Sequence, residues 1–83
     1  MTEPLNQNPY APIACARYSE YEIAILHRQK MRLRWHRDNV HYDQVVTPLD
    51  LKTINHEEFM VFRVDSGETL TIRLDRLHQM ARA

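Results

Sequence analysis

The chain has 83 residues, of which 43% are hydrophobic and 27% charged, and this length leaves no room for a second core beside one small globular domain. Its 11 Lys and Arg residues balance its 11 Asp and Glu residues, which argues against a free-standing nucleic-acid-binding protein, because such proteins are typically basic. The one cysteine, Cys15, excludes an intrachain disulfide and favours a reducing, cytoplasmic location.

Residues 1–9 are predicted to form a flexible tail, because they are polar and contain two prolines. A single domain is expected over residues 10–83. The N-terminus lacks the charged and apolar regions of a signal peptide. No apolar run approaches the ~20 residues that a membrane span requires, so we expect a cytoplasmic protein without a membrane segment.

A short helix is predicted over residues 19–28. Ser19, followed three residues later by Glu22, matches the capping-box pattern that starts many helices. A helix of fewer than three turns is not stable alone, so it must pack on the rest of the domain. The spacing of three and four residues places on its buried face Ile23, Leu26 and either Tyr21 or Ala24.

The predicted start of this helix carries acidic and aromatic side chains. Glu20 and Glu22 would lie in the first turn, where each interacts favourably with the helix dipole by roughly 0.3–1 kcal/mol. Tyr18 and Tyr21 flank them. Tyrosines beside charges at an exposed helix end are typical of a protein-binding surface.

The residues after the helix are predicted to form two strands of a β-hairpin. KMRLRWHR at residues 30–37 alternates basic and apolar side chains, and residues 40–47 continue the alternation. Asp38 and Asn39 suit a two-residue loop, because both residue types tolerate positive φ. This register pairs Trp35 with Tyr42 and Met31 with Val46 on an apolar face, and Arg34 with Asp43 and His36 with His41 on a polar face.

Pro48 is predicted to end the second strand, since proline has no amide donor, and one helical turn is expected at residues 50–53. Residues 58–65 and 68–75 are two further strands. A two-residue loop between them pairs Asp65 with Glu68, whereas a three-residue loop keeps the apolar residues together with Gly67 in the left-handed conformation, and we favour the latter. That register pairs Met60, Phe62 and Val64 with Ile72, Leu70 and Glu68. Residues 76–81 complete the set as a short fifth strand.

The fold class is therefore mainly β with one N-terminal helix. An open two-layer arrangement of the sheet and the helix satisfies the pattern. A small, strongly bent five-stranded antiparallel barrel is favoured, because closure hides the strand edges.

No catalytic, cofactor or metal site is predicted. A single glycine cannot build a phosphate-binding loop, and no signature of a nucleophilic enzyme surrounds Cys15. His36 and His41 face each other in the predicted hairpin, yet two exposed imidazoles without further ligands bind a metal poorly. We therefore do not expect an enzyme.

The basic first strand leaves two functions open. Arg32 and Arg34 could line a stripe for RNA phosphates, with aromatic residues for base stacking, in a small RNA-binding module. Alternatively they form a solvated face whose charges meet Asp43 across the sheet. The zero net charge favours the second interpretation, so direct nucleic-acid binding is not expected.

A set of short motifs resembles a known family, the Rho-binding antiterminators or Rof family. PI-x-C-x-x-Y precedes a short helix, and GET and RLD follow near the C-terminus, so the resemblance covers roughly residues 10–77. The matching positions are Tyr10, Pro12, Ile13, Cys15, Tyr18, Glu22, Ala24, His27, Met31, Leu33, Asp50, Leu51, Gly67, Glu68, Thr69, Ile72, Arg73, Leu74 and Asp75.

This resemblance implies an N-terminal helix on a five-stranded Sm-like barrel, and a non-catalytic bacterial inhibitor of the transcription termination factor Rho. Members of the family bind the N-terminal OB-type domain of Rho and block the loading of single-stranded RNA, so that termination fails. A monomer without cofactor or metal is expected. Family members are acidic and this chain is neutral, so its contact would depend on local carboxylates.

The resemblance also implies which residues contact Rho. The helix start and the loop before the third strand form the family's contact, which corresponds here to Cys15, Tyr18, Ser19, Glu20, Glu22, Asn55 and His56. Glu20 and Glu22 are expected to accept hydrogen bonds from Rho cations. Tyr18 and Tyr21 are expected to be packing anchors unless the barrel buries them.

Overall fold

The structure, a computed structural model, describes residues 11–83; the predicted tail at residues 1–9 and Tyr10 lie outside the described residues. The five strands form one antiparallel sheet in the order β4-β3-β2-β1-β5, so the prediction of a mainly β fold with one N-terminal helix is confirmed. The elements are α1 (Cys15–Leu26), β1 (Met31–Arg37), β2 (Val40–Ile54), β3 (Glu57–Val64), β4 (Thr69–Arg73), a 3₁₀ turn (Leu74–Arg76) and β5 (Leu77–Arg82).

Helix α1 begins four residues earlier than predicted. Ala14 is its N-cap residue, with extended backbone and no side-chain capping bond, and the Tyr18 amide donates to the Ala14 carbonyl at 3.1 Å. Ser19 therefore lies inside the helix, and the capping box predicted for Ser19 and Glu22 is wrong. The first turn contains no acidic residue, so the predicted dipole interaction of Glu20 and Glu22 is wrong as well.

The buried face of α1 also differs from the predicted one. Tyr21 and Ala24 are the buried residues, with 1% and 3% of their surface exposed, whereas Ile23 and Leu26 are 56% and 77% exposed. Tyr21 and Ala24 are three residues apart and define one face, and Ile23 and Leu26 point away from it. Tyr21 and Ala24, which were predicted as alternatives, are thus both buried, and the prediction of Ile23 and Leu26 on the buried face is wrong.

The β1–β2 hairpin has the predicted register. Trp35 pairs with Tyr42 and His36 with His41, and both residues of the loop, Asp38 and Asn39, have positive φ. The other two predicted pairs, Met31 with Val46 and Arg34 with Asp43, are also present.

Strand β2 continues past Pro48, so the predicted strand end and the helical turn at residues 50–53 are wrong. The register between β2 and β3 shifts between Pro48 and Asp50, and such a bulge allows a proline inside a strand. Residues Asn55 and His56, with φ of 51° and 65°, then form the tight turn into β3. This 15-residue strand carries the turn away from the β1–β2 hairpin.

The β3–β4 loop has the predicted three-residue form. Gly67 has φ of 93°, and Met60 pairs with Ile72. The Val64 amide donates to the Glu68 carbonyl at 2.9 Å and closes the loop. Strand β4 ends at Arg73, earlier than predicted, because the 3₁₀ turn intervenes before the confirmed fifth strand.

An aromatic core holds the helix on the sheet. The ring of Trp35 stacks on Tyr42 with centroids 5.1 Å apart and meets Phe62 edge-on at 4.9 Å, while Tyr21 packs into the same cluster. The Arg17 guanidinium donates to the Leu77 carbonyl and thereby ties α1 to β5.

The sheet is not closed into a barrel within residues 11–83. Strands β4 and β5 are consecutive in the chain, yet they occupy the two edges of the sheet and do not pair with each other. The strand pairs β1–β5 and β2–β3 each contain a register shift, but the favoured closure of the barrel is absent from the described residues.

Candidate functional site

The helix outer face is an exposed ridge formed by one side of α1. Its residues follow each other at spacings of four, three, one and three positions, which places them on one side of an α-helix. All five are exposed: Cys15, Ser19, Glu22, Ile23 and Leu26.

Tyr18 lies at one flank of this ridge, partly buried against the core. Loss of solvent, the Glu58 carboxylate and the Glu22 carboxylate raise the pKa of the Tyr18 hydroxyl above its ordinary value. The hydroxyl therefore stays protonated at neutral pH and can donate a hydrogen bond. Glu58 belongs to β3 and Glu22 to α1, so charges from the sheet and from the helix both act on this tyrosine. We call Tyr18, Glu22 and Glu58 the Tyr18 surface.

The β2–β3 turn adjoins the Tyr18 surface through the chain. Asn55 and His56 are exposed, and Glu58 follows His56 by two residues. Tyr18 and Glu22, two of the predicted contact residues, therefore lie near Glu58 of β3. The other predicted contact residues, Asn55 and His56, form the turn that leads into this strand. Sequence reasoning missed Glu58, because only the tertiary structure brings its charge near Tyr18.

Glu20 lies on the other flank of α1. It lines a shallow groove against the C-terminal strand, together with Ile23, Met80 and Arg82. Two residues of an α-helix that are two positions apart point roughly 160° away from each other. Glu20 and Glu22 are both exposed, but they do not form one acidic site, contrary to the prediction that treated them as a pair.

Tyr21 is not part of the surface. Only 1% of it is exposed, and burial raises the pKa of its hydroxyl while the Arg17 cation opposes the rise. The Arg17 guanidinium lies 5.9 Å from the ring centroid. Tyr21 therefore meets the exception stated in the prediction: it is buried in the core and is not available as an exposed anchor, because the helix phase turns it inward.

Arg32 and Arg34 of β1 lie beside one carboxylate. Arg32 makes two hydrogen bonds to Asp43, at 2.8 and 3.0 Å, and Arg34 lies 4.0 Å from the same carboxylate. The bond from Arg32 holds the pKa of Asp43 below its usual range. Arg34 also donates to Gln79 at 3.3 Å. These contacts match the interpretation of a solvated, internally paired face rather than a phosphate-binding stripe.

The RLD motif, Arg73 to Asp75, has a structural role. The Asp75 carboxylate accepts a bond from Arg73 at 2.8 Å and from the Ala11 amide at 3.0 Å, so it fixes the segment before α1. Leu74 is fully buried. Within residues 11–83, no group of three or more His, Cys, Asp or Glu residues is arranged to hold a metal ion.

No family model matches the chain, and no curated protein or solved structure shows significant similarity to it. In the described part of the chain, no helix is both long enough and apolar enough to cross a membrane. The fold and the surface define a small antiparallel-sheet domain that presents one exposed helix.

Proposed function

We propose that this protein is a non-catalytic inhibitor of transcription termination factor Rho, which binds the N-terminal OB-type domain of Rho in the cytoplasm and blocks the loading of single-stranded RNA. The proposal rests on the motif resemblance and on one structural observation. That observation is the placement of Tyr18, which is partly buried against the core, where the carboxylates of Glu22 from the helix and Glu58 from β3 both raise the pKa of its hydroxyl.

The chemistry of the Tyr18 surface suits a competitor of RNA. OB-type RNA sites combine cationic side chains, which hold phosphates, with aromatic platforms for bases. Glu22 can meet such a cation, and Tyr18 offers a ring and a protonated hydroxyl at the same place. Because the helix already fixes the backbone of Glu22, binding has to order only its side chain, which favours affinity.

The apolar part of the contact is assigned to Ile23 and Leu26. They replace Tyr21, which the core removes from the surface, and they lie beside Glu22 on the helix outer face. Apolar anchors next to charged groups are typical of the centre and rim of a protein interface. Cys15, Ser19, Asn55 and His56 are peripheral contacts in this proposal.

The Sm-like description of the fold belongs to the same proposal. In the order β4-β3-β2-β1-β5, pairing of the two edge strands would close a five-stranded barrel. The proposed contact does not depend on closure, since it uses side chains of the helix outer face and of the β2–β3 turn and not the backbone amides of the edge strands.

The function is tested by displacement. Labelled cytosine-rich RNA is bound to purified Rho, and the full-length protein is titrated in while fluorescence anisotropy is followed. We expect complete release of the RNA. If the RNA stays bound at saturating protein, the protein is not an inhibitor of RNA loading.

The surface is tested by charge reversal at two helix positions. Glu22→Lys is expected to weaken competition at least about tenfold, because it places a cation against Rho cations in the interface. Glu20→Lys is the matched control, with the same chemistry on the opposite flank, and is expected to compete nearly as the wild type. Far-UV circular dichroism verifies that both variants fold. Equal losses at both positions would contradict the assignment of the Tyr18 surface while leaving the inhibition itself intact.

A further inference from the structure

Three of the five histidines meet on the face of the sheet opposite the core. They come from three neighbouring strands: His36 from β1, His41 from β2 and His78 from β5. The ring centroids of His36 and His78 are 4.7 Å apart, and that of His41 lies 5.7 and 5.8 Å from the other two. We call these residues the histidine cluster.

A bulge places His78 in the cluster. Arg34 pairs with Gln79 but Trp35 pairs with Leu77, so His78 is the extra residue of β5 at a register shift. In a regular strand, His78 and Gln79 would point to opposite faces. The bulge lets both face outward while Leu77 stays buried, and this irregularity gives His36 its neighbour.

The cluster holds β5 to β1 through a side-chain bond. Nδ1 of His36 and Nε2 of His78 are 2.6 Å apart, and one of these nitrogens must accept from the other. A doubly protonated imidazolium has no acceptor nitrogen. The bond therefore exists only while at least one of the two rings is neutral.

The geometry favours proton chemistry over metal binding. Two nitrogens that ligate one tetrahedral zinc ion at about 2.0–2.1 Å lie roughly 3.3 Å apart. Nδ1 of His36 and Nε2 of His78 are only 2.6 Å apart, which is a hydrogen-bond distance. This agrees with the absence of a metal-holding group in residues 11–83.

The surroundings oppose protonation. Arg34 of β1 and Arg17 of α1 are the neighbouring cations, and Asp43 of β2, which lies beside His41 and His78, is bonded to Arg32. The aromatic neighbours are Trp35 and Tyr42. The pKa of His78 lies below its usual value. The largest cause is the loss of solvent around its ring, and the smaller causes are the charges of His36, His41, Arg17 and Arg34.

We propose that the histidine cluster is a proton-sensitive latch, which fastens β5 to β1 when its rings are neutral and releases this C-terminal strand when they are protonated. Protonation removes the bond between His36 and His78 and places like charges side by side. Release of β5 also removes the carbonyl of Leu77 from Arg17, and so loosens the helix that carries the proposed contact surface.

The direction of the pH effect follows from the lowered pKa of His78. The unfolded chain binds its proton near the ordinary histidine pKa, whereas the folded chain resists it until the pH is lower. Stability is therefore complete above the ordinary value and is lost as the pH falls through the lowered one.

The test compares thermal unfolding at about pH 7.5 and about pH 5.0, with EDTA present, for the full chain and two variants. We expect the Tm of the wild type to fall by roughly 4–8 °C. His78→Gln, which cannot titrate, is expected to lose less than half of that. His27→Gln is the matched control, an exposed histidine outside the cluster, and is expected to behave as the wild type.

A second measurement keeps the test decisive if His78→Gln does not fold. Amide hydrogen exchange of the wild type, followed by NMR, is expected to speed up in β5 before β2 and β3 as the pH falls, after correction for intrinsic rates. An equal change in all strands, or an imidazole titration that places the pKa of His78 at or above its ordinary value, would overturn the latch. Neither outcome bears on Rho inhibition at neutral pH.

Discussion

Glu20 and Glu22 show how far the environments of two like residues can differ at the scale of single side chains. The first faces a groove beside β5, and the second faces Tyr18 and Glu58. Their separation follows from helical geometry, which the sequence specifies once the helix is assigned. Which of the two carboxylates lies beside β5 was decided by Tyr21, because its burial fixes the rotation of the helix.

Gly67 provides a prediction at the same scale. Its φ is 93°, and a Cβ added to it would meet nothing within 4 Å, so any cost of a side chain comes from the backbone alone. Gly67→Ala is expected to lower the free energy of unfolding by about 1–2 kcal/mol, measured by urea denaturation. Ser66→Ala, one residue earlier in the loop, is the control and should change it little; a harmless Gly67→Ala would mean that the loop adopts another conformation.

At the scale of elements, helix α1 shows how a local signal can be overruled. Ser19 and Glu22 match a start pattern, but the helix extends upstream to Cys15. The bond from Ala11 to Asp75 and the packing of Ile13 and Tyr18 on the core order the preceding segment. Such contacts, distant in sequence, outweigh the roughly 1 kcal/mol that a cap contributes.

The two possible helix starts predict opposite mutational effects. Ser19→Ala would cost about 1 kcal/mol if Ser19 were the cap, but inside the helix it is expected to be neutral or stabilising by a few tenths, about 0.3 kcal/mol. Ala14→Ser is expected to stabilise by about 0.5–1 kcal/mol, because Ala14 has the extended backbone of a cap without a side-chain acceptor. Urea denaturation decides between the two starts. A lower free energy of unfolding for Ser19→Ala, together with an unchanged one for Ala14→Ser, would show that the helix begins at Ser19.

At the scale of the whole molecule, the sheet has two free edges. The outward amides of β4 and β5 have no strand partner within the described residues, whereas β2 and β3 are flanked on both sides. Closure of a barrel would pair these edges and protect their amides.

Hydrogen exchange is expected to report the open sheet directly. Half of the amides of β4 and β5, those on the outer edges, should exchange fast, while those of β2 at Val46 and of β3 at Met60 should be the slowest. The measurement is NMR-detected exchange at neutral pH, with the inward amides of the same strands as internal controls. Uniform protection along both edges would indicate a closed barrel or a paired second chain.

The sequence by itself determined the order of the helix and the strands and two hairpin registers, because alternating side chains and loop residues are local signals. The sequence also favoured a solvated face on which Arg32 and Arg34 meet Asp43 across the sheet, and both arginines lie beside that carboxylate. Only the tertiary structure decided the helix phase, the passage of β2 through Pro48 and the meeting of Tyr18 with Glu58, since these depend on packing between residues far apart in the chain. The bulge that aligns His78 with His36 has the same origin, because a register shift between β1 and β5 leaves no pattern in either strand.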